Sequence, residues 1–420
     1  MNSSHLRAQV YFRQARYDRA QAELMQALAN DPHDAYAHAM LAFCLNAQRK
    51  YTEATQEAEQ AVHHEPDNPF GHYALASVLE HRNLLDRAVG TIREAIRLAP
   101  YDADYASFLA HLLYRKKQWE DALGEANRGL SIDPQHTRCA NVKALALVQL
   151  GQQQEADATL AHALRESPDD ADSHASKGWS LLQQGRHTEA KHHFREALRI
   201  DPDMEWARYG MVEALKAKNL VYRIMLKYMF FMNKLASRGQ WTVVIGAYLA
   251  FRVLRYLSQI YPQWDFLLLP LIGLYVVFAV LTWIAKPLFN LMLRLSRDGR
   301  LALSHEERVA SNWIGMCILL AILFGLAAAV LSNGALALAA VFSVALLIPV
   351  SAIFHCEPGW PRLAMAVFTA VLAACAAAGI QRISAEDESG GMLFVGAFLL
   401  GSFLAPLAGN LLVQVLPRRD

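Results

Sequence analysis

Along the first half of the chain, apolar positions return at helical spacing and are cut at regular intervals. Between Ala103 and His136, one stripe is built from Phe108, Leu109, Leu112 and Leu113. Lys116, Lys117 and Gln118 interrupt it, and Trp119, Ala122, Leu123, Ala126 and Leu130 make a second. Residues three and four apart share a helix face, so each stripe predicts an amphipathic helix. Ile132, Asp133 and Pro134 close the unit, because proline disfavours a helical residue before it and has no N–H to donate. The unit is helix, short turn, helix, stop. It recurs every 34 residues, marked by Pro32, Pro66, Pro100, Pro134, Pro168 and Pro202. Small residues keep the same step at Ala20, Ala54, Ala88, Ala122, Ala156 and Ala190, and again at Ala27, Ala61, Ala95, Gly129, Ala163 and Ala197. A further small column lies in the first helix at Ala8, Ala42, Ala76, Ala110, Ala144 and Gly178. One helix pair cannot bury its stripes alone, so the pattern predicts stacked pairs. Glu205 to Leu220, with Trp206, Tyr209, Val212 and Leu215, reads as the helix that closes the stack.

After Leu220 the pattern changes. Residues 221–240 mix Arg223, Lys227, Lys234 and Arg238 with large apolar side chains and predict an amphipathic juxtamembrane hinge. Apolar runs long enough to cross a bilayer follow at 266–285, 313–331, 335–354, 363–380 and 392–415. A sixth, 241–261, carries Arg252 and Arg255, which are costly near the centre of a span. The fold class is therefore all-α, with a superhelical solenoid over 1–220, the hinge, and a bundle of about six transmembrane helices over 241–420. Six crossings put Lys286, Arg294, Arg297, Arg300, Arg308, Arg362 and the Arg418–Arg419 tail on one side. By the positive-inside bias that side is cytoplasmic, together with both termini. Ala366, Ala370, Ala374 and Ala378 at fourfold spacing predict a close helix contact, in a compact bundle or at a dimer face.

Composition agrees with this division. Of the 420 residues 54% are hydrophobic and 19% are charged, a combination that fits a polar half joined to a membrane half. The net charge of +1 gives no bulk field for a polyanion, so nucleic acid is disfavoured. Five cysteines, an odd number with no pair at C-x-x-C spacing, predict free thiols in a reducing compartment. Met1 to Phe12 lacks the apolar core of a signal peptide, which predicts a first half that stays in the cytoplasm.

The period, the prolines and the small columns resemble the tetratricopeptide repeat family over roughly Met1 to Met204. The resemblance implies that the inner face of the first helices takes an extended or helical segment of a protein partner. Counted along each repeat, that groove holds Tyr36, Phe43, Phe70, Tyr73, Phe108, His111, Tyr114, Arg138, Asn141 and Trp179. The Lys/Asn/Arg cluster with which some relatives hold a C-terminal carboxylate is missing: Ala39, Tyr73, Phe43 and Ser77 stand in its place. An aromatic groove suits apolar anchors instead.

Other candidate chemistry is sparse. His63–His64 and His192–His193 read as a solvated face, because adjacent residues diverge on a helix. Arg252, Arg255, His355 and Glu357 are the polar groups in or near the spans. No nucleotide-binding loop, zinc-protease helix or serine elbow occurs, and no metal or cofactor is expected. Two functions follow. In the first, a membrane-anchored scaffold, placed in a bacterial inner membrane, recruits a protein partner and contacts lipids and another membrane protein. In the second, the membrane half transports or modifies a small or lipidic substrate, and the repeats regulate it. The first, which is not an enzyme, is the expectation.

Overall fold

The computed structural model describes residues 3–235, 237–294, 303–356, 358–385 and 387–414. Helices joined by short turns are the only regular secondary structure among these residues, which form two compact units, one ending at Gly210 and the other running from Met211 to Leu416.

The first unit holds six helix pairs: α1 (Ser3–Arg13) and α2 (Tyr17–Asn30), α3 (Ala35–Ala47) and α4 (Tyr51–His64), α5 (Pro69–His81) and α6 (Leu85–Leu98), α7 (Ala103–Arg115) and α8 (Trp119–Ile132), α9 (Thr137–Gln149) and α10 (Gln153–Glu166), α11 (Ala171–Gln183) and α12 (His187–Ile200). Three devices repeat with the 34-residue step. A capping side chain starts each first helix after α1: Asp34, Asn68, Asp102, His136 and Asp170 each accept a backbone N–H of the first turn. The turn between the helices puts one residue in the left-handed region, at Ala15, Arg49, Asn83, Lys117, Gly151 and Gly185. The next N–H then bonds five residues back, as Lys50 does to Leu45 O at 2.9 Å. Finally, three of the period prolines have their carbonyl oxygen held by an imidazole six residues on, as His72 Nε2 holds Pro66 O at 2.8 Å.

The small columns are wholly buried where the helices cross, with Ala20, Ala54, Ala88, Ala122, Ala156 and Ala190 all at 0% exposure. Departures from the columns are matched in pairs. Phe194 stands where other repeats have Leu24, Ala58 or Ala126. A Cβ at Gly178 would lie 2.7 Å from the Phe194 ring, and one at Gly210 would also collide with it, so both glycines make room for this phenylalanine.

The two units divide inside α13 (Glu205–Lys216), the helix that the sequence assigns to the end of the stack. The second unit continues with α14 (Leu220–Lys234), α15 (Ser237–Ile260), a 3-10 turn (Pro262–Trp264), α16 (Asp265–Leu293), α17 (His305–Leu331), α18 (Gly334–Ala345), α19 (Leu347–Ile353), α20 (Trp360–Ser384) and α21 (Glu388–Gln414). Five stretches are long and apolar enough to cross a membrane: Pro262–Leu293, His305–Leu331, Gly334–Ile353, Trp360–Ser384 and Ser389–Leu412. Helix α15 forms over the sixth expected run but is not among the five; Arg252 and Arg255 lower its hydropathy.

Prolines shape this unit. The run expected as one helix over 335–354 is two, α18 and α19, parted at Leu346. Pro349 has no N–H for the Ala345 carbonyl and crowds it, which breaks the helix there. Pro287 likewise frees the Trp283 carbonyl inside α16, and the Ser351 hydroxyl donates to it at 2.6 Å. The stripe Ala366, Ala370, Ala374 and Ala378 is not the face that α20 buries; that face is Met365, Thr369, Leu372, Ala376 and Gly379. Glycines of α21 supply the close approach instead: side chains at Gly391 and Gly401 would collide with Ile383 and Leu372.

Candidate protein-binding face

The first helices of the repeats carry a run of half-buried rings. Phe12 lies 6.4 Å from Phe43, Phe43 lies 5.8 Å from Phe70 and 5.6 Å from Tyr73, and Tyr73 meets Phe108 edge-on at 5.2 Å. Tyr36 stacks on Phe70 at 5.4 Å, and its hydroxyl is hydrogen-bonded to Gln9. Centroid spacings of this kind are those of attractive ring pairs. The rings tie α1, α3, α5 and α7 into one apolar face. Burial raises the phenol pKa of both Tyr36 and Tyr73, so both keep their proton, and their hydroxyl oxygens accept hydrogen bonds, from Gln9 and from Arg138.

Beyond Tyr73 the same column becomes charged. Positions that hold Tyr36 and Phe70 in the early repeats hold Asp104, Arg138 and Asp172 in the later ones. Arg138 reaches the Tyr73 hydroxyl and lies 3.5 Å from Asp104. The Asp104 carboxyl is held below its usual value by the hydrogen bond from His136 at 3.3 Å. Glu80 organises the boundary. It takes a hydrogen bond from His111 Nε2 at 3.0 Å and one from Arg115 Nη1 at 2.9 Å. Burial alone raises its pKa, but these two bonds and the attached charges outweigh it and bring the carboxyl down to about 2.

The structure therefore brings together Tyr36, Phe43, Phe70, Tyr73 and Phe108, with Arg138 and His111 at the polar end. Three expected groove residues lie elsewhere. Tyr114 packs on Trp119 at 5.0 Å and takes a bond from Gln149, filling a contact between helices. Asn141 is buried and joins Asp170 and Ser173. Trp179 belongs to a separate stack with Trp206, Tyr209 and Phe194. Phe12, Gln9 and Glu80 were not among the sequence candidates. Gln9 stands one repeat before Phe43, so the column was visible, but the 34-residue equivalents of Phe12 are Asn46, Glu80 and Tyr114, which hide it.

Tetratricopeptide-repeat family models match residues 5–69 and 141–205, and a second matches 45–112. A model for subunit 3 of the anaphase-promoting complex, the cyclosome, matches 81–163. The N-terminal half is a tetratricopeptide-repeat array. No family model matches the remainder. A comparison with curated proteins finds no match. Among solved structures, YrrB, described as a repeat protein with an unusual peptide-binding site, is 19% identical with a TM-score of 0.32, over 44% of this chain and 96% of its own. The thermophilic repeat protein TTC0263 of Thermus thermophilus is 23% identical with a TM-score of 0.40, over 43% of this chain and 98% of its own. The pilF protein of Pseudomonas aeruginosa is 17% identical with a TM-score of 0.41, over 50% and 96%.

Outside the array, the expected polar positions do not converge. Arg252 and Arg255 are exposed on α15, and Asp265 takes its hydrogen bond from Ser258 at 2.6 Å; no ion pair among the described residues joins Asp265 to either arginine. His355 bonds to Ser351 O and faces Trp283 at 5.8 Å. Phe251 stacks on Tyr275, eight residues earlier on α16, so about 12 Å of helix separates the two levels. Glu357 lies outside the described residues. The paired histidines collect in two ring clusters, His33, His38, His63 and His64, and His174, His192 and His193. No group of metal-binding side chains occurs among the described residues.

Proposed function

We infer that the protein is a membrane-anchored scaffold whose repeat array holds a segment of a protein partner on the ring face. The observation that carries this reading is the unbroken run from Phe12 through Phe43 and Tyr73 to Phe108. A chain of rings at one face offers large, stiff anchors at small entropic cost. The change from rings to Asp104, Arg138 and Asp172 gives the face a direction: an apolar end of the partner lies towards α1, and a polar end of mixed charge lies towards α11.

The anchor is the second unit. Its polar loop ends support one orientation. Arg362 at the start of α20 pairs with Glu306 at the start of α17 at 3.2 Å, and Arg294 at the end of α16 bonds to Asn312 and Ser311 of α17. These bases gather at one end of the unit, whereas Arg382 at the other end is paired with Asp387. In this reading the basic end, the array and the termini are cytoplasmic, and the membrane is a bacterial inner membrane.

The test uses a photo-reactive side chain at Phe108 in the full chain, in its native membrane. A single partner band that disappears in Phe43→Ala plus Tyr73→Ala, with circular dichroism unchanged, is the expected result. A band that survives both substitutions refutes the ring face as the binding surface.

A further inference from the structure

We propose that one extended partner segment is anchored twice on the array, on the ring face near its start and on a second set of rings four repeats further on. The proposal rests on the reading of the ring face as the partner surface. At the first anchor Phe43 lies 5.8 Å from Phe70 and 5.6 Å from Tyr73. Each of these positions has an aromatic counterpart 136 residues later, four steps of 34, at Trp179, Trp206 and Tyr209. Trp179 lies 6.0 Å from Trp206 and 5.7 Å from Tyr209, so the same spacing of three rings is built twice. No Phe, Tyr or Trp stands in these three columns between the two triads. Closing the stack does not account for the second triad. Helix α13 buries Ala207 and Gly210, the latter against Phe194, whereas Trp206 and Tyr209 are 40% and 38% exposed.

Charge chooses the occupant. Between the triads, the column of Phe70 and Trp206 holds Asp104, Arg138 and Asp172. Asp104 and Arg138 lie 3.5 Å apart and neutralise each other. Asp172 is exposed, and among the described residues no base pairs with its carboxylate. The surrounding protein raises its pKa and Asp170 and Asp201 add to the rise, while Arg138 and His111 oppose it. A lysine or arginine of the segment is the partner that this carboxylate lacks. The next residue in the column is Trp206, and Tyr36 and Phe70, also one step apart in it, stack at 5.4 Å. A base held by Asp172 therefore stands beside an indole face, which attracts a cation. The fitting segment has an apolar side chain for each triad and a base beside the second. Packed helices lie about 8–10 Å apart, so four steps make about 32–40 Å, which an extended chain crosses in roughly 10–12 residues.

The experiment places a photo-reactive side chain at Phe70 or at Trp206 of the full chain, in its native membrane. Mass spectrometry then maps the residues of the partner that each position marks. The expected result is that both mark one segment of one protein, at residues roughly 10–12 apart, with a lysine or arginine next to the residue marked from Trp206. Asp172→Lys should cut the cross-link from Trp206 by about tenfold or more, because it sets like charges together. Phe43→Ala, at the centre of the first triad, should lower that same cross-link, because two linked anchors bind as one ligand. Circular dichroism checks the fold of each variant, and the exposed position of Asp172 keeps one arm of the test independent of packing. A cross-link from Phe70 with none from Trp206 overturns the proposal and leaves the first ring face standing. So does a Trp206 cross-link to an unrelated protein, to a distant segment or to this chain itself. A Trp206 cross-link indifferent to both Asp172→Lys and Phe43→Ala overturns it as well. If Phe70 marks no partner, the reading of the ring face falls, and the proposal with it.

Discussion

The two units place their large apolar side chains in opposite directions. In the array, Leu24, Leu79, Ile92, Leu112 and Leu160 are at or near zero exposure, and the polar side chains cap helix ends. In the second unit, Phe266, Val330 and Phe403 are 81%, 82% and 71% exposed, while Ser311, Ser351 and Asn290 are buried. The difference separates two sources of cohesion. Water drives the array together by apolar burial. A unit that faces lipid, as proposed for the second, gains little from that, and would rely on small-residue contacts and on hydrogen bonds to backbone that its prolines have freed.

The comparison breaks most sharply at the start of the second unit, where charge is buried as if it were core. Lys216 and Glu213 pair at 3.1 Å with side-chain exposures of 0% and 1%, and the Tyr222 hydroxyl donates to the same carboxylate. Burial lowers the Lys216 pKa, with Glu213 opposing. Glu213→Ala strands the ammonium and should lower stability by about 3–5 kcal/mol. Chemical unfolding of the full chain measures this. The folded pKa of Lys216 lies below the unfolded value, so the variant should recover as pH rises towards 10.5. A loss that grows with pH would refute the assignment.

The next effect belongs to the array. The folded pKa of Glu80, about 2, lies below its ordinary 4.5. Its contribution is complete above the ordinary value and is lost as pH falls towards about 2. The linkage is worth at most about 3 kcal/mol. The unfolding midpoint of Glu80→Gln should therefore fall below that of the parent at pH 7, and the two should converge near pH 2. A gap of equal size at both pH values would exclude Glu80 as its source.

How much of this was legible follows the same division. The 34-residue step, the prolines and the buried alanines can be read because identity repeats with position. The left-handed turn repeats just as strictly, but at Ala15, Arg49, Asn83, Lys117, Gly151 and Gly185 the constraint lies on backbone shape and leaves no column of one residue. The ring face was half-legible. Tyr114 sits on the same helix as Phe108, yet it reaches sideways to Gln149, which spacing cannot show. In the second unit, hydropathy gives the five long apolar stretches, but not the break that Pro349 makes at Leu346. Nor does it show that α21 glycines, rather than the alanine stripe of α20, admit the close contact.

A smaller prediction tests whether hydrogen bonding holds the second unit as claimed. Ser351→Ala removes the hydroxyl on Trp283 O and leaves that carbonyl without the N–H that Pro287 lacks. Interhelical bonds of this kind are worth about 0.6 kcal/mol on average and up to about 1.7. The loss should therefore be about 1 kcal/mol in a denaturation series in micelles. Pro287→Ala restores an N–H donor for that carbonyl. In its background Ser351→Ala should cost less, and an equal cost in both backgrounds would show that the hydroxyl acts by packing.

The smallest effect runs the other way and belongs to the array alone. Ala15 and Arg49 are exposed and hold φ of 55° and 63°. A side chain in that region costs about 1–2 kcal/mol, which glycine avoids. Glycine gives back about 0.5–1 kcal/mol through its freer unfolded chain. Ala15→Gly and Arg49→Gly should each stabilise by a net amount of up to about 1 kcal/mol, and because the turns are separate the gains should add. Gly151→Ala, at φ 83°, should cost a similar amount. Asn83→Gly should gain least, because asparagine tolerates the left-handed region. Thermal unfolding of the single and double variants ranks them. The ranking follows from backbone shape alone, so equal responses at Ala15 and Asn83 would mean that these turns are set by packing instead.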